Sequence, residues 1–364
     1  PPTVGANERR LHAQLSGARP PRHGLLLLQR PGSTSFPGAA RWLGRGVFPA
    51  MGQHFHVRRG SSPDVERMVR ILTERAITLV LGGGGSRGYA HVGVLRALEQ
   101  LRIPIDAVAG ASFGAVVAGS HAMGLGSSEI LRVLRPIFDS LVDPTLPLVS
   151  LASGRNAVEG TQRVVGTLDI EDLAIPYFCT STNLSRSREV VHRDGSLAFA
   201  VRASGSLPGI FPPVPWHDGD LLVDGGVSNN VPVDVMDDLF PGAAIAVDVM
   251  PDVDLQAGGD ELPNHLSGWQ VAWRRVNPFK TKLRMPSILS IIIRAATAGS
   301  HSMRQVAENS QRASLFLKPR VVQWNMLDFK AASSIAEQGY SWSLGRLEAW
   351  WEESRERLMG RDGR

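Results

Sequence analysis

AITLVLGGGGSRGYAHVGVLRAL, residues 76–98, sets four consecutive glycines between a β-like apolar run and a helix-like run. A loop with so few side chains lets backbone amides approach a ligand closely. A phosphate, a dinucleotide and the oxygen of a reacting ester all suit it. Working outward, strand-like and helix-like runs alternate. Strands are predicted at 76–81, 106–109, 176–184, 189–192, 221–224 and 243–248. Helices are predicted from Ser62–Pro63 and over 87–100, 113–123, 287–311 and 329–356. Such alternation predicts an α/β fold in three layers, with a central, mostly parallel sheet and helices on both faces.

The chain has 364 residues, with 43% hydrophobic and 20% charged, so it can bury a substantial core and is not a disordered polymer. Apolar runs such as 288–293 are too short to span a bilayer, and the start, PPTVGANERR, carries no secretory signal. The single cysteine, Cys179, permits no internal disulfide, and its run IPYFCTSTNL reads as buried packing in a reducing, cytoplasmic setting. Residues 1–75 hold twelve arginines against four acids, so the basic excess is local. It suits an anionic membrane surface or a solvated linker face. No nucleic-acid motif accompanies it. Residues 1–60, rich in Pro, Gly and Arg, read as an extension, and 61–364 as the main domain.

A second motif lies in DAVAGASFGAVVAG, where Gly110-Ala111-Ser112-Phe113-Gly114 is a G-x-S-x-G. The composition gives roughly 0.3 such matches by chance, so context has to decide. The motif sits between a short strand and a helix rich in Ala and Gly, as a nucleophile elbow requires. There Ser112 would stand on a sharp turn at a helix N-terminus. A seryl hydroxyl needs a base. None of the ten histidines carries a local signature. His265 and His301 follow a plausible acid in triad order, and His121 lies on the elbow helix; all ten are read as structural or surface residues. The third motif, LLVDGGVSNNVPVD, ends a strand at Asp224 and continues with Gly225 and Gly226. A carboxylate at the C-terminal end of a strand in a parallel sheet faces the crevice where ligands bind.

The glycines can now be weighed. Gly83, Gly85 and Gly88 satisfy G-x-G-x-x-G, but Asp106 begins the next strand, whereas a ribose-binding acid should end it. No Gly-Lys-Ser/Thr follows, which removes a Walker loop. The remaining use is an oxyanion hole built from the amides of Gly83, Gly84 and Gly85. Arg87 either adds positive potential there or serves as a surface salt-bridge residue.

With the three motifs in this order, the chain resembles the patatin-like phospholipases over about residues 76–250. GGGSRG (83–88), GASFG (110–114) and DGG (224–226) match that family's pattern. HRDGSLAFAVRASGSLPGIFPP (192–213), ARWLGRG, HFHVRRG and GWQVAWRRVNP are similar to the neuropathy target esterase branch and its bacterial relatives. The resemblance implies a Ser112–Asp224 dyad without histidine, an acyl-enzyme, and hydrolysis of lysophospholipids and other carboxylic esters with no cofactor or metal. Motif support would come from Arg87, Gly88, Gly110, Gly114, Gly225 and Gly226. That branch commonly carries cyclic-nucleotide-binding-like domains, which this chain is expected to lack. Trp269, Trp273 and Phe279, interleaved with Arg274, Arg275, Lys280 and Lys282, suit peripheral contact at the inner membrane surface or an ordinary packed amphipathic segment. SLPGIFPPVPW (206–216) reads as an acyl-groove wall or a rigid loop. Two other readings stay open: an acyltransferase using the same acyl-enzyme, and a nucleotide-binding regulatory module.

Overall fold

In the computed structural model, residues 24–33, 36–43, 53–251, 267, 291, 295 and 312–360 are described. The six residues of Ala76–Leu81 are all buried and form the strand β3 at the heart of the sheet. Two strands precede it, β1 (Gly24–Gln29) and β2 (Gln53–Arg58), with a one-turn helix α1 (Ala40–Leu43) between them and α2 (Ser62–Leu72) after them. After β3 the chain runs through α3 (Tyr89–Gln100), β4 (Ala107–Ala111), α4 (Phe113–Ala122), α5 (Ser127–Asp139) and α6 (Arg155–Val165). It continues through β5 (Tyr177–Asn183), β6 (Arg188–His192), α7 (Leu197–Ser204), β7 (Val214–Pro215) and β8 (Leu221–Asp224). The last elements are α8 (Val233–Leu239), β9 (Gly242–Val247), β10 (Ala313–Leu317) and α9 (Ala332–Met359).

The main sheet runs β10-β9-β3-β4-β5-β8-β7, with β6 also on β5. From β10 to β5 every pairing is parallel. Side chains alternate between two cores, as a strand buried on both faces requires. Ile77, Leu79 and Leu81 join α3, α4, α5, α7 and α9 on one face; Val80, Ala107, Ala109 and Phe178 join α8 on the other. The three-layer α/β architecture expected from the sequence is therefore present.

Three strands depart from the parallel expectation. β6, β7 and β8 enter by antiparallel pairings. β6 covers Cys179–Asn183 along one edge of β5. β4 pairs with Tyr177–Thr180, written Val108↔Tyr177 to Ala111↔Thr180, and β8 pairs with Ser181–Asn183. A strand has only two edges, so β4 and β8 share the other one. They run toward each other and stop with Ala111 opposite Thr180 and Asp224 opposite Ser181, adjacent positions on β5.

Helix α3 begins two residues later than predicted, because Gly85–Gly88 form a 3-10 turn first. Helices α5 to α8 and strand β10 were not among the sequence expectations; α5 has a strong apolar stripe through Ile130 and Leu134, but Pro136 inside it obscures the helical signal. In 287–311 only Ile291 and Ala295 are described, both helical; the rest of that expected helix lies outside the described residues. The 1–60 segment contributes a parallel two-stranded sheet, β1 with β2. It is tied to the body where Gly38 and Ala39 donate to Asp172 Oδ1, both at 3.0 Å, and where His56 Nε2 bonds the Glu171 carbonyl at 2.7 Å.

Candidate active site

Ser112 leaves β4 with φ 53 and ψ −125, a conformation that L side chains rarely adopt, and α4 starts at the next residue. The turn needs strand and helix almost in contact. A Cβ on Gly110 would stand 2.4 Å from the Gly114 carbonyl carbon, and one on Gly114 would stand 2.0 Å from the Leu81 oxygen. That requirement is the physical content of the G-x-S-x-G spacing. The Ser112 amide donates to Ser204 Oγ at 2.8 Å, which pins the turn to the end of α7.

Across the junction of β4 and β8, Ser112 Oγ donates to Asp224 Oδ2 at 2.6 Å. Asp224 Oδ1 accepts the Gly226 amide at 2.7 Å, its own amide donates to Ser206 O at 3.0 Å, and its carbonyl accepts Thr182 Oγ1 at 3.0 Å. Both polar ends of the residue are thus held. Burial pushes its carboxyl up to about 6, against the hydrogen bonds from Ser112 and Gly226, which favour the charged form. Gly225 packs on the Thr180 backbone. The expected geometry of Asp224 needs one correction: its strand is antiparallel to β5. The carboxylate reaches Ser112 because the two strand ends meet, not because both strands end on one side of a parallel sheet.

The glycine loop lies directly over Ser112. A Cβ on Gly83 would stand 3.0 Å from that of Ser112 and 2.8 Å from Asn230 Oδ1. The Gly83 amide donates to Asn230 Oδ1 at 3.1 Å. Of the three amides expected to face an oxyanion, that of Gly83 therefore already has a partner. Gly85 lines the cleft beside Ser112. Gly88 packs on the Phe113 ring. Arg87 Nε donates to the Trp324 carbonyl at 2.8 Å, while Ser86 bonds the Met326 and Asn325 carbonyls. Burial lowers the Arg87 guanidinium below its usual range, opposed by Asp328.

Sequence reading missed Asn230, Ser204 and the 324–326 segment. Asn230 follows Asp224 closely in SNN, so its place beside a motif was a usable signal. Ser204 and 324–326 have no local signature and meet the motifs only through folding. Among the described residues no histidine bonds Ser112 or Asp224. His91, fully buried and lowered to about 4 by that burial, bonds the Gly82 carbonyl at 2.7 Å, and His192 shares a hydrogen bond with Ser181. His265 and His301 lie outside the described residues, as do Trp269, Trp273 and Phe279. Cys179 is buried and free, its thiol pushed up to about 12 by burial.

From Ser112 a cleft opens along α4, with Val116, Gly119 and Ser120 on the same helical face. The cleft is walled mainly by apolar side chains of α4, α5 and α6 and by the 205–212 stretch. Part of the run read as a groove wall or rigid loop, Ser206 to Pro212, does line it. Among the described residues, no cluster of His, Cys, Asp and Glu is placed to hold a metal ion, and no helix is long and apolar enough to cross a membrane.

A family model described as patatin-like phospholipase matches residues 79–237, which span all three motifs. Patatin-like phospholipase domain-containing protein 6 of Mus musculus is 34% identical over 306 residues, covering 81% of this chain. Patatin-like phospholipase domain-containing protein 7 of Rattus norvegicus is 37% identical over 297, covering 79%. Lysophospholipase NTE1 of Meyerozyma guilliermondii is 35% identical over 296, also covering 79%. The chain spans only 22%, 22% and 20% of these relatives' own lengths. Among solved structures, VipD from Legionella pneumophila aligns over 78% of this chain and 80% of its own, at 13% identity and a TM-score of 0.34. With the family model on all three motifs and a third of the residues shared across four-fifths of the chain, the protein carries a domain of the patatin-like phospholipase family, similar to the neuropathy target esterase and NTE1 proteins.

Proposed function

We propose that this chain hydrolyses the carboxylic esters of lysophospholipids and phospholipids with Ser112 as nucleophile and Asp224 as base. The observation that carries the reading is the 2.6 Å bond from Ser112 Oγ to a buried carboxylate raised to about 6, beside an apolar cleft. A carboxylate at its ordinary pKa is a poor base, and one near 6 is poised for proton transfer at neutral pH while remaining mostly ionised. Asp224 takes the Ser112 proton as Oγ attacks the acyl carbonyl. The amides of Gly84 and Gly85 receive the developing oxyanion, each worth on the order of 3 kcal/mol of barrier. Protonated Asp224 gives its proton to the departing alcohol, and an acyl-Ser112 ester remains. Water, deprotonated by Asp224, then attacks that ester, and Asp224 returns the proton to Ser112 Oγ as the fatty acid leaves. The cleft along α4 takes the acyl chain.

The name lysophospholipase borne by one relative supports the substrate class. The phosphate-binding reading is disfavoured, because the Gly83 and Ser86 amides already serve Asn230 and Met326. A fluorophosphonate probe should label Ser112, as read by peptide mass spectrometry, and the chain should release fatty acid from lysophosphatidylcholine. Labelling at another residue or none would sink the dyad. Acyl transfer to an added alcohol without free fatty acid would instead make the chain a transferase.

A further inference from the structure

Between α5 and α6 the chain forms a loop whose large apolar side chains face solvent. Leu148 is 84% exposed, Leu146 72% and Val149 71%, with Val142 and Leu151 flanking them. Among the described residues no other stretch of ten holds as many exposed large apolar side chains. From Pro144 to Ser153 no residue is charged. The loop is built rather than loose. Its neck closes through a Pro144–Ala152 bridge, Thr145 N to Leu151 O at 3.1 Å and Ser153 N to Asp143 O at 2.9 Å. The Asp143 carboxylate bonds the Ser153 hydroxyl and accepts the Gly154 and Arg155 amides at 3.0 and 2.9 Å, which fixes the loop to the start of α6.

The loop's position is equally fixed. Leu151 and Ala152 donate to the Gly209 and Ile210 carbonyls at 3.0 and 2.9 Å, and Ile210 is part of the cleft wall. Leu141 and Gly154, at the two ends of the loop, line the cleft themselves. The exposed tip therefore stands on the rim of the cleft that holds Ser112.

We propose that this loop is an interfacial anchor: Leu146, Leu148 and Val149 enter a lipid surface and so bring the cleft mouth to the lipid. The inference rests on reading Ser112 and Asp224 as a lipid esterase. An uncharged tip suits hydrocarbon better than a protein partner, because protein interfaces ring their apolar centre with polar contacts and this tip has almost none to offer. Its hydroxyl residues between Thr145 and Leu151 are Thr145 and Ser150, and Ser150 Oγ is turned inward to the Ala152 carbonyl at 2.8 Å. Continuity with an apolar cleft gives a lipid a path from the surface to Ser112 without crossing water.

The test uses the full chain, phosphatidylcholine vesicles and the triple substitution L146S/L148S/V149S, which touches no cleft-lining residue. Wild type should float with the vesicles, and the triple variant should partition about tenfold less or weaker still. Its turnover of vesicle-borne lysophosphatidylcholine should fall in parallel, while hydrolysis of a soluble short-chain ester stays unchanged. A second variant, L148C carrying an environment-sensitive dye, should show a blue-shifted emission on vesicle addition; Cys179 is buried away from the label. Flotation equal to wild type, or a dye that stays in water, would overturn the anchor. So would a wild-type dimer that the triple variant converts to monomer, since a second copy would then cover the tip. Loop-dependent flotation without turnover of either ester would retire the esterase reading and leave the anchor standing.

Discussion

The two ends of the cleft are built by different means. At the reacting end, each polar group of Ser112 and Asp224 that faces its partner is held by a specific bond: Ser204 on the serine amide, Gly226 on the carboxylate, Thr182 and Ser206 on the aspartate backbone. Along the rest of the cleft the wall is mainly rings and aliphatic side chains, beginning with Phe113 beside Ser112 itself. Phe113 and Phe138 lie 4.6 Å apart between centroids, and Phe138 and Phe329 5.3 Å. A hydrogen-bonded constellation is sensitive to tenths of an ångström, whereas an apolar wall is sensitive chiefly to volume. The first end should therefore set whether the reaction occurs and the second which acyl chain is taken.

The strongest attempt to break that division is removal of either member of the proposed dyad. Ser112→Ala and Asp224→Asn should each lower kcat by about 10³-fold or more, and Ser112→Ala should also abolish fluorophosphonate labelling. Full turnover by the Asp224 variant would leave the 2.6 Å bond without a catalytic meaning. Next in size are the groups that hold the glycine loop and the elbow. Asn230→Ala and Ser204→Ala should cost roughly 10- to 100-fold in kcat with little change in KM, because they act on geometry at the reacting centre. A change confined to KM would move these residues to substrate binding.

The apolar end should answer differently. Val116 lies one helical turn from Ser112 on the cleft face. Val116→Trp should reduce kcat/KM for long-chain esters by about tenfold to a hundredfold and spare short-chain ones, read as a chain-length profile. Equal loss on all chains would show that the two ends are not independent.

Titration separates them further. As the proposed base, Asp224 has to be ionised, so kcat/KM should rise with pH through about 6. The stability consequence has the opposite sign. With the folded carboxyl raised from 3.8 to about 6, the native state holds the proton more tightly than the unfolded chain. That stabilisation is full below about pH 4 and lost as pH rises through 6, a change on the order of 3 kcal/mol. Asp224→Asn should flatten this portion of the stability profile, measured by denaturant unfolding. The smallest effect belongs far from the cleft: breaking the exposed Arg96–Glu337 pair, 2.8 Å apart, with Glu337→Gln should change stability by under about 1 kcal/mol and leave turnover untouched.

Much of this molecule was legible beforehand. Runs of buried apolar residues announce β3 and β9 wherever they are placed, and the elbow is local chemistry: Gly110, Ser112 and Gly114 must be near one another because they are near in sequence. Arg87 shows the limit. Its charge beside the glycines suggested a role at the oxyanion, but the 324–326 segment, more than two hundred residues away in the chain, takes its Nε. Gly83 shows the same limit, since its amide was counted as an oxyanion donor before Asn230 was seen to hold it.

From its sequence alone the protein was determined to be an α/β chain with a glycine loop, a serine on a sharp turn and an aspartate ending a strand, because each is written in a few contiguous residues. Only the tertiary structure decided that the serine and the aspartate meet. Their strands run in opposite directions along one edge of β5 and stop at neighbouring positions, Thr180 and Ser181. Strand direction and edge are properties of pairing between distant segments, and no local pattern encodes them.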